Sequence, residues 1–284
     1  MLNKARIQGL CRAALTEDIG SGDATTTAIV PADLQISASL VTRRECVCAG
    51  LLLVETVFKE LDEAVAIDRV VEDGDRCAPG CTLATLEGQA RAILTGERTA
   101  LNFIQRLSGI ATLTRAYVDA VGDRPVKILD TRKTTPGWRA LEKYAVTCGG
   151  GENHRFGLYD RVMVKDNHRF VAGLKGPDSI QRAVDACRQC YPSLEVEVEA
   201  DTLDDVRDAA AAGADYILLD NMTDEHMREA VQIAAGKSRL EASGGITLER
   251  IPAIAKTGVN FISVGALTHS APAVAIGLDA HLGA

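Results

Sequence analysis

From Pro125 onward the chain repeats one pattern, and that pattern limits what it can fold into. Short apolar segments alternate with stretches of helical periodicity. The segments are VKILD (126–130), RVMVK (161–165), LEVEVEA (194–200), YILLD (216–220), RLEAS (239–243) and FISVG (261–265). Parallel strands need long crossover connections, and helices of this length supply them. Six successive units favour an α/β barrel, complete or partial, over an open sheet.

Upstream the rhythm differs. Ile7, Leu10, Cys11, Ala14 and Leu15 share one face of a predicted amphipathic helix. IGSGDATTT (19–27) reads as a loop. Between 36 and 87 the pattern mixes strand-like ISASLVTR and VAIDRVV with helix-like LLLVETVFKEL and a turn at EDGDRCAPG, before TLATLEG. Residues 90–121 read as helical, with a break expected at Ser108-Gly109. The last segment, APAVAIGLDAHL, is predicted as a helix that returns to the first domain. The expectation is an α/β protein of two domains: a small α+β unit over 1–110, rejoined by a helix at 271–284, and a barrel over 111–270.

Charge excludes one class of partner. The 284 residues carry a formal net charge of -8, which repels phosphate backbones and argues against nucleic-acid binding. Any anion site must be a local gathering of cations. No run approaches the roughly 20 apolar residues of a membrane span, and the N-terminus lacks the apolar core of a signal peptide. Eight cysteines are scattered along the chain. Cys187 and Cys190 form a C-x-x-C in a helical stretch, with Cys77 and Cys81 as the one candidate second pair for zinc. Free thiols and a cytoplasmic location are the favoured reading.

The strand ends concentrate the polar chemistry, which is where barrels place their sites. The first ends in Asp130 and leads into TRKTTPGWR, with Arg132, Lys133 and Arg139. The second ends in Lys165, before Asp166, Asn167 and His168. The third carries Glu195, Glu197 and Glu199 at the two-residue period of one strand face. That face is either a wet edge or an inward barrel layer with Lys and Arg partners. The fourth ends in Asp220-Asn221, the fifth in Ser243-Gly244-Gly245 and the sixth in Gly265-Ala266. Either glycine turn alone is an ordinary turn; after the last strands of a barrel, both suit phosphate. CGGGENHR (148–155) adds His154 and Arg155. The cations suit a small, rigid, multiply anionic ligand. Glu199 and Asp220 suit sugar hydroxyls or Mg²⁺ riding on a pyrophosphate.

At these residues the chain resembles a known family. TRKTTPGWRALEKYAVTCGGGENHRFGLYDRVMVKDNH (131–168) is similar to the central signature of the quinolinate phosphoribosyltransferases. LTEDIGSGDATT, TGERTALNFIQRLSGIATLT, ILLDNM and EASGGI resemble further motifs of that family, in its order, over about residues 10–270. The resemblance implies an N-terminal α/β sandwich and a C-terminal open, incomplete α/β barrel of the type II phosphoribosyltransferases, arranged as a homodimer. It also implies a reaction: quinolinate and phosphoribosyl pyrophosphate give nicotinate mononucleotide, pyrophosphate and CO₂, with Mg²⁺ and no organic cofactor. By position, Thr131, Arg132, Lys133, Arg139, His154, Arg155 and Lys165 then bind quinolinate or its neighbour, and Arg98 reaches the other subunit's site. Lys133, Lys165, Glu199 and Asp220 take the catalytic roles, with Glu199 and Asp220 also near the metal. Glu197, two residues from Glu199, stays open as the site glutamate. Ser243, Gly244, Gly245, Val264, Gly265 and Ala266 form the phosphate loops. Two other readings remain: a paralogue acting on a different cyclic acid, and a non-catalytic sensor of a phosphorylated metabolite.

Overall fold

A computed structural model describes residues 3–176 and 178–282. They form two compact units. The first comprises 3–115, 135–150 and 270–282; the second comprises 116–134 and 151–269 apart from 177. The first therefore includes 111–115 and 135–150, beyond the expected boundary at 110.

The first unit is built on a four-stranded antiparallel sheet, in the order Ile276–Leu282, Gln35–Thr42, Thr82–Gln89, Ala66–Arg69. Gln35–Thr42 alternates buried and less buried positions, with Ile36, Ala38, Leu40 and Thr42 inside, as a sheet with one covered face must. Lys4–Ile19 packs beside Leu51–Leu61. Ile7, Cys11 and Leu15 of the first helix are buried, as its periodicity predicted.

Three expectations fail here, each for a physical reason. The C-terminal segment is a strand, not a helix: Ile276–Leu282 pairs antiparallel with Gln35–Thr42, from Ile276 opposite Thr42 to Leu282 opposite Ile36. An available sheet edge overrides local helical periodicity. Residues 19–27 are not all loop, because Asp23 accepts the Thr26 N–H at 2.9 Å and caps the short helix Ala24–Ile29. The helix does not break at Ser108-Gly109; Ala90–Val121 is continuous. Those small residues serve close approach instead. Ser108 Oγ accepts the Ala49 N–H at 3.1 Å, and Gly109 lies where an added Cβ would collide with the Pro272 carbonyl oxygen.

The second unit is a six-stranded, wholly parallel sheet. Its order is Lys127–Leu129, Phe261–Ser263, Arg239–Ser243, Tyr216–Asp220, Val196–Ala200, Val162–Val164. First and last strands in sequence are neighbours, whereas the first and second are not paired. This is the open α/β barrel the sequence predicted. At the unpaired edge, residue 152 makes one parallel bridge to Leu129. The Glu152 N–H donates to the Ile128 carbonyl at 2.8 Å, and the Asp130 N–H to the Glu152 carbonyl at 3.2 Å. The barrel core is aliphatic, with Ile128, Val198, Ile217, Leu219, Leu240 and Ile262 buried. Among the described residues no helix is long and apolar enough to cross a membrane.

Gly109→Ala tests the close approach. Helix propensity alone favours alanine by about 1 kcal/mol, whereas overpacking costs about 1–3 kcal/mol or more. Because the collision is with backbone, overpacking should win and the urea midpoint should fall. An unchanged or higher midpoint would show that the segment at Pro272 yields freely.

Candidate functional site

Because all six strands are parallel, their carboxyl ends gather at one end of the second unit. The loops there enclose a cavity of about 850 Å³. Every candidate residue except two lines it: Thr131, Arg132, Lys133, His154, Arg155, Lys165, Glu199, Asp220, Ser243, Gly244, Gly245, Val264, Gly265 and Ala266. Arg98 and Arg139 are the exceptions. Both belong to the first unit, Arg98 exposed on the long helix and Arg139 at the start of Arg139–Cys148.

Loop chemistry fixes the cations. The Lys133 N–H donates to Thr131 Oγ1 at 3.1 Å, and Thr268 Oγ1 donates to the Lys133 carbonyl at 2.7 Å. The loop after the first strand is thus tied to the loop after the last. Gly265 makes room beneath: an added Cβ would stand 3.0 Å from Lys133 Cδ and 3.2 Å from His269 Nε2. Arg155 Nη1 donates to the Arg161 carbonyl at 3.1 Å. Burial, and then the charge of Arg132, pull the Arg155 pKa down from its ordinary value, as a half-buried cation beside a second cation must be. Lys165 Nζ is paired with Glu199 Oε2.

Glu197 and Glu199 are an inward layer, not a wet edge. Glu197 is fully buried and Glu199 nearly so, while Glu195 is exposed and meets Arg239 at 2.6 Å. The two inward glutamates differ in place. Glu199 lines the cavity, whereas Glu197 lies deeper, 3.2 Å from His154 Nε2 and 3.5 Å from Arg161 Nη1. The same His154 Nε2 lies 3.3 Å from Glu241 Oε2. Burial pushes Glu241 up, and the charge of Glu197 adds to it. Burial would raise Glu197 too, but its bond to His154 and the charges of Arg161 and Arg155 bring it below the ordinary value. Burial lowers His154, yet its bonds to Glu197 and Glu241 outweigh that and lift it to about 9.

A pKa of about 9 suggests an imidazolium, but the geometry opposes it. The Arg155 N–H donates to His154 Nδ1 at 2.7 Å, so a proton on Nδ1 would face another N–H. The ring is therefore neutral with its proton on Nε2, facing Glu197 and Glu241. Among the described residues His154, Glu197 and Glu241 are the one group of three close enough to share a metal ion. A protonated Nε2 cannot be a ligand, so this group does not suit one. The cysteine pairs at 77/81 and 187/190 belong to no such group among the described residues.

Glu199 and Asp220 offer the hard oxygen donors that Mg²⁺ takes. Asp220 Oδ2 accepts from Asn221 Nδ2 at 2.9 Å. Burial, followed by the charges of Asp205, Asp220 and Asp166, raises the nearby Asp201 carboxyl. Both Glu199 and Asp220 line the cavity, so the donor set fits the group. Ser243-Gly244-Gly245 has φ of +91° at Gly244 and +58° at Gly245. A Cβ at Gly244 would meet the Asn221 side-chain amide and stand 2.9 Å from the Asn221 backbone nitrogen. Only glycine lets this turn close over Asn221.

Sequence reasoning gave no role to Glu241 or His269, which also line the cavity. Glu241 left a usable signal: a lone carboxylate in mid-strand, between apolar residues, faces a barrel interior. His269 left none, since its place depends on how Thr268 meets Lys133.

Comparison with known proteins agrees with this architecture. The profile described as quinolinate phosphoribosyl transferase, C-terminal domain, matches residues 110–279, and the corresponding N-terminal profile matches 23–108. A Mycobacterium leprae protein named nicotinate-nucleotide pyrophosphorylase [carboxylating] is 46% identical over 277 residues, covering 94% of this chain and 95% of its own. An Arabidopsis thaliana chloroplastic protein of the same name is 40% identical over 289 residues, covering 96% of this chain and 82% of its own. The solved structure of the nicotinate-nucleotide pyrophosphorylase from Francisella tularensis has a TM-score of 0.93 at 40% identity, covering 99% of this chain and 98% of that one. With both domain profiles matched in order, and relatives this similar along nearly their full length, the chain belongs to the quinolinate phosphoribosyltransferase family.

Proposed function

We propose that the cavity transfers phosphoribosyl from phosphoribosyl pyrophosphate to quinolinate with decarboxylation, yielding nicotinate mononucleotide, pyrophosphate and CO₂. One observation carries the reading at the level of the site. In a protein of net charge -8, Arg132, Lys133, Arg155 and Lys165 surround one cavity that also holds Glu199 and Asp220. Family membership supplies the reaction class. Arg132, Arg155 and Lys133 bind the two ring carboxylates. Ser243–Gly245 and Val264–Ala266 take the phosphate groups. Departure of pyrophosphate leaves an oxocarbenium-like ribose, which Glu199 and Asp220 stabilise by charge. Mg²⁺, held at Glu199 and Asp220, would neutralise the leaving pyrophosphate. Lys165 orients Glu199 through the ion pair between them. The pyridine nitrogen attacks, becomes a cation, and can hold the electrons released as CO₂ departs. Positioning and charge suffice, without a covalent nucleophile. A cytoplasmic location suits eight cysteines that are all unpaired.

Pyrophosphate release with quinolinate, and with nicotinate as control, tests the reading. Nicotinate lacks the 2-carboxylate and leaves cations unpaired, so its turnover should be lower by orders of magnitude. Comparable turnover of the two would assign the chain another ring acid.

Lys133→Ala and Arg155→Ala should each weaken quinolinate binding tenfold or more while the fold persists. Losing a charge-assisted bond costs about 1.5–3 kcal/mol. Calorimetric titration of the folded variants is the check, and unchanged affinity in both would remove these cations from the ligand.

Arg98 completes the proposal. It is exposed on the first unit's long helix, and the proposed homodimer lends it to the partner's cavity, reciprocally about a twofold axis. Arg98→Ala and Lys165→Ala homodimers should both be nearly inactive. Mixed dimers hold one site with both defects and one with neither. With random exchange about half the dimers are mixed, so about a quarter of wild-type activity should return. No recovery despite verified subunit exchange would place Arg98 outside the partner's site.

A further inference from the structure

The floor of the cavity holds a group that the mechanism above leaves unused. Glu241 is fully buried in mid-strand, yet it lines the cavity together with His154 and Ser263. Neither of its carboxyl oxygens completes a hydrogen bond of good geometry. Its neighbour His154 Nε2, 3.3 Å away, is shared with Glu197 at 3.2 Å. One N–H cannot satisfy two buried carboxylates, and two ionised carboxylates this close repel each other. The cluster therefore holds a further proton.

The surroundings locate that proton. His154 Nδ1 accepts the Arg155 N–H and has no place for it. Glu197 stands 3.5 Å from Arg161 Nη1, a fixed cation that favours its carboxylate form. Glu241 faces Glu197, His154 and the Ser263 hydroxyl, with none of these arginines against it. The proton resides on Glu241, a neutral carboxylic acid beneath the site.

The proposed reaction needs such a store, and this inference rests on that reaction. When the ring–carboxyl bond breaks, CO₂ leaves and the electron pair stays on the ring carbon beside the positive nitrogen. That carbon must then gain a proton. Arg132 and Arg155 do not release theirs, and Lys165 is committed to Glu199. We propose that Glu241, working through His154, supplies the proton that replaces the lost carboxylate. The ring carbon takes the proton on His154 Nε2, and Nε2 takes the carboxyl proton of Glu241. The Glu241 carboxylate is reprotonated from water when product leaves. His154 is the catalytic acid, and Glu241 is the residue that recharges and positions it.

The test measures pyrophosphate and CO₂ separately, using quinolinate labelled in its 2-carboxyl group. The wild type should release them one to one. Glu241→Gln keeps the shape but cannot deliver the proton. Without reprotonation CO₂ recombines, so this variant should release pyrophosphate ahead of CO₂ and accumulate quinolinate mononucleotide, with CO₂ release slowed about a hundredfold. His154→Gln should do the same. A merely structural role slows both releases equally, so a one-to-one ratio in the folded variants overturns the assignment whatever their rate, and leaves Lys133 as the donor. Thermal unfolding identifies the folded variants; if Glu241→Gln does not fold, the ratio in His154→Gln decides. If the wild type releases no pyrophosphate from these substrates, the reaction itself is misread and this assignment falls with it.

Discussion

Burying three glutamates inside one barrel is the constraint around which the second unit is arranged. Glu197 and Glu241 are fully buried and Glu199 nearly so. An uncompensated ion in such a place costs several kcal/mol, and removing one partner of a buried pair costs about 3–5 kcal/mol. Each glutamate is answered differently. Glu199 has Lys165, from the end of the neighbouring strand. Glu197 has Arg161 and the His154 N–H. Among the described residues Glu241 has no cation of its own, and burial and then Glu197 raise it, which makes neutrality its most stable state. His154 can serve both only because its backbone is held as well. Its N–H donates to the buried Asp130 carboxylate at 2.9 Å, and that anchor sets the chain from which Arg155 enters the cavity.

The barrel was legible in the sequence because its strands are buried on both faces and read as short apolar runs between helical stretches. Five of the strand ends carry their polar residues openly, so the strand pattern alone places Lys133, Lys165, Asp220 and the two glycine turns at one end of the barrel. The first unit was harder to read. GLDAHL has no composition that says strand, and it becomes one because Gln35–Thr42 offers it an edge. Ser108-Gly109 has the composition of a helix break, and stays helical because the Ser108 hydroxyl bonds the Ala49 backbone and the missing Gly109 side chain admits the Pro272 carbonyl. In both cases the deciding atoms lie far away along the chain. The same holds for Glu241. That it and Glu197 share one imidazole follows from strands two places apart in the sheet, a relation no local pattern encodes. Conversely, Glu197 and Glu199 occupy the same strand face and differ only in depth, Glu199 lining the cavity and Glu197 lying beneath it.

Strand order then explains how an acidic chain arranges opposite charges in one cavity. The sheet runs first, sixth, fifth, fourth, third, second in barrel sequence. Residues far apart in the chain therefore become neighbours around the rim. Thr131–Lys133 stands beside the Gly265 turn, that turn beside Ser243–Gly245, then Asp220, then Glu199, then Lys165. His154 and Arg155 follow the segment that bridges the free edge of the first strand. The cations thus flank the open side of the barrel, while the glycine turns and the two carboxylates occupy its continuous side. A nucleotide-forming ligand pair has the same polarity: ring carboxylates at one end, phosphates at the other, and a ribose between them. The acids sit next to the glycine turns, where the proposed reaction would develop positive charge on the ribose carbon as pyrophosphate leaves. Closing the barrel between the first and second strands would remove the gap at which Arg132 and Arg155 are brought together. On this argument the incompleteness of the barrel is what separates the cationic side from the acidic one, and it allows one small cavity to hold both.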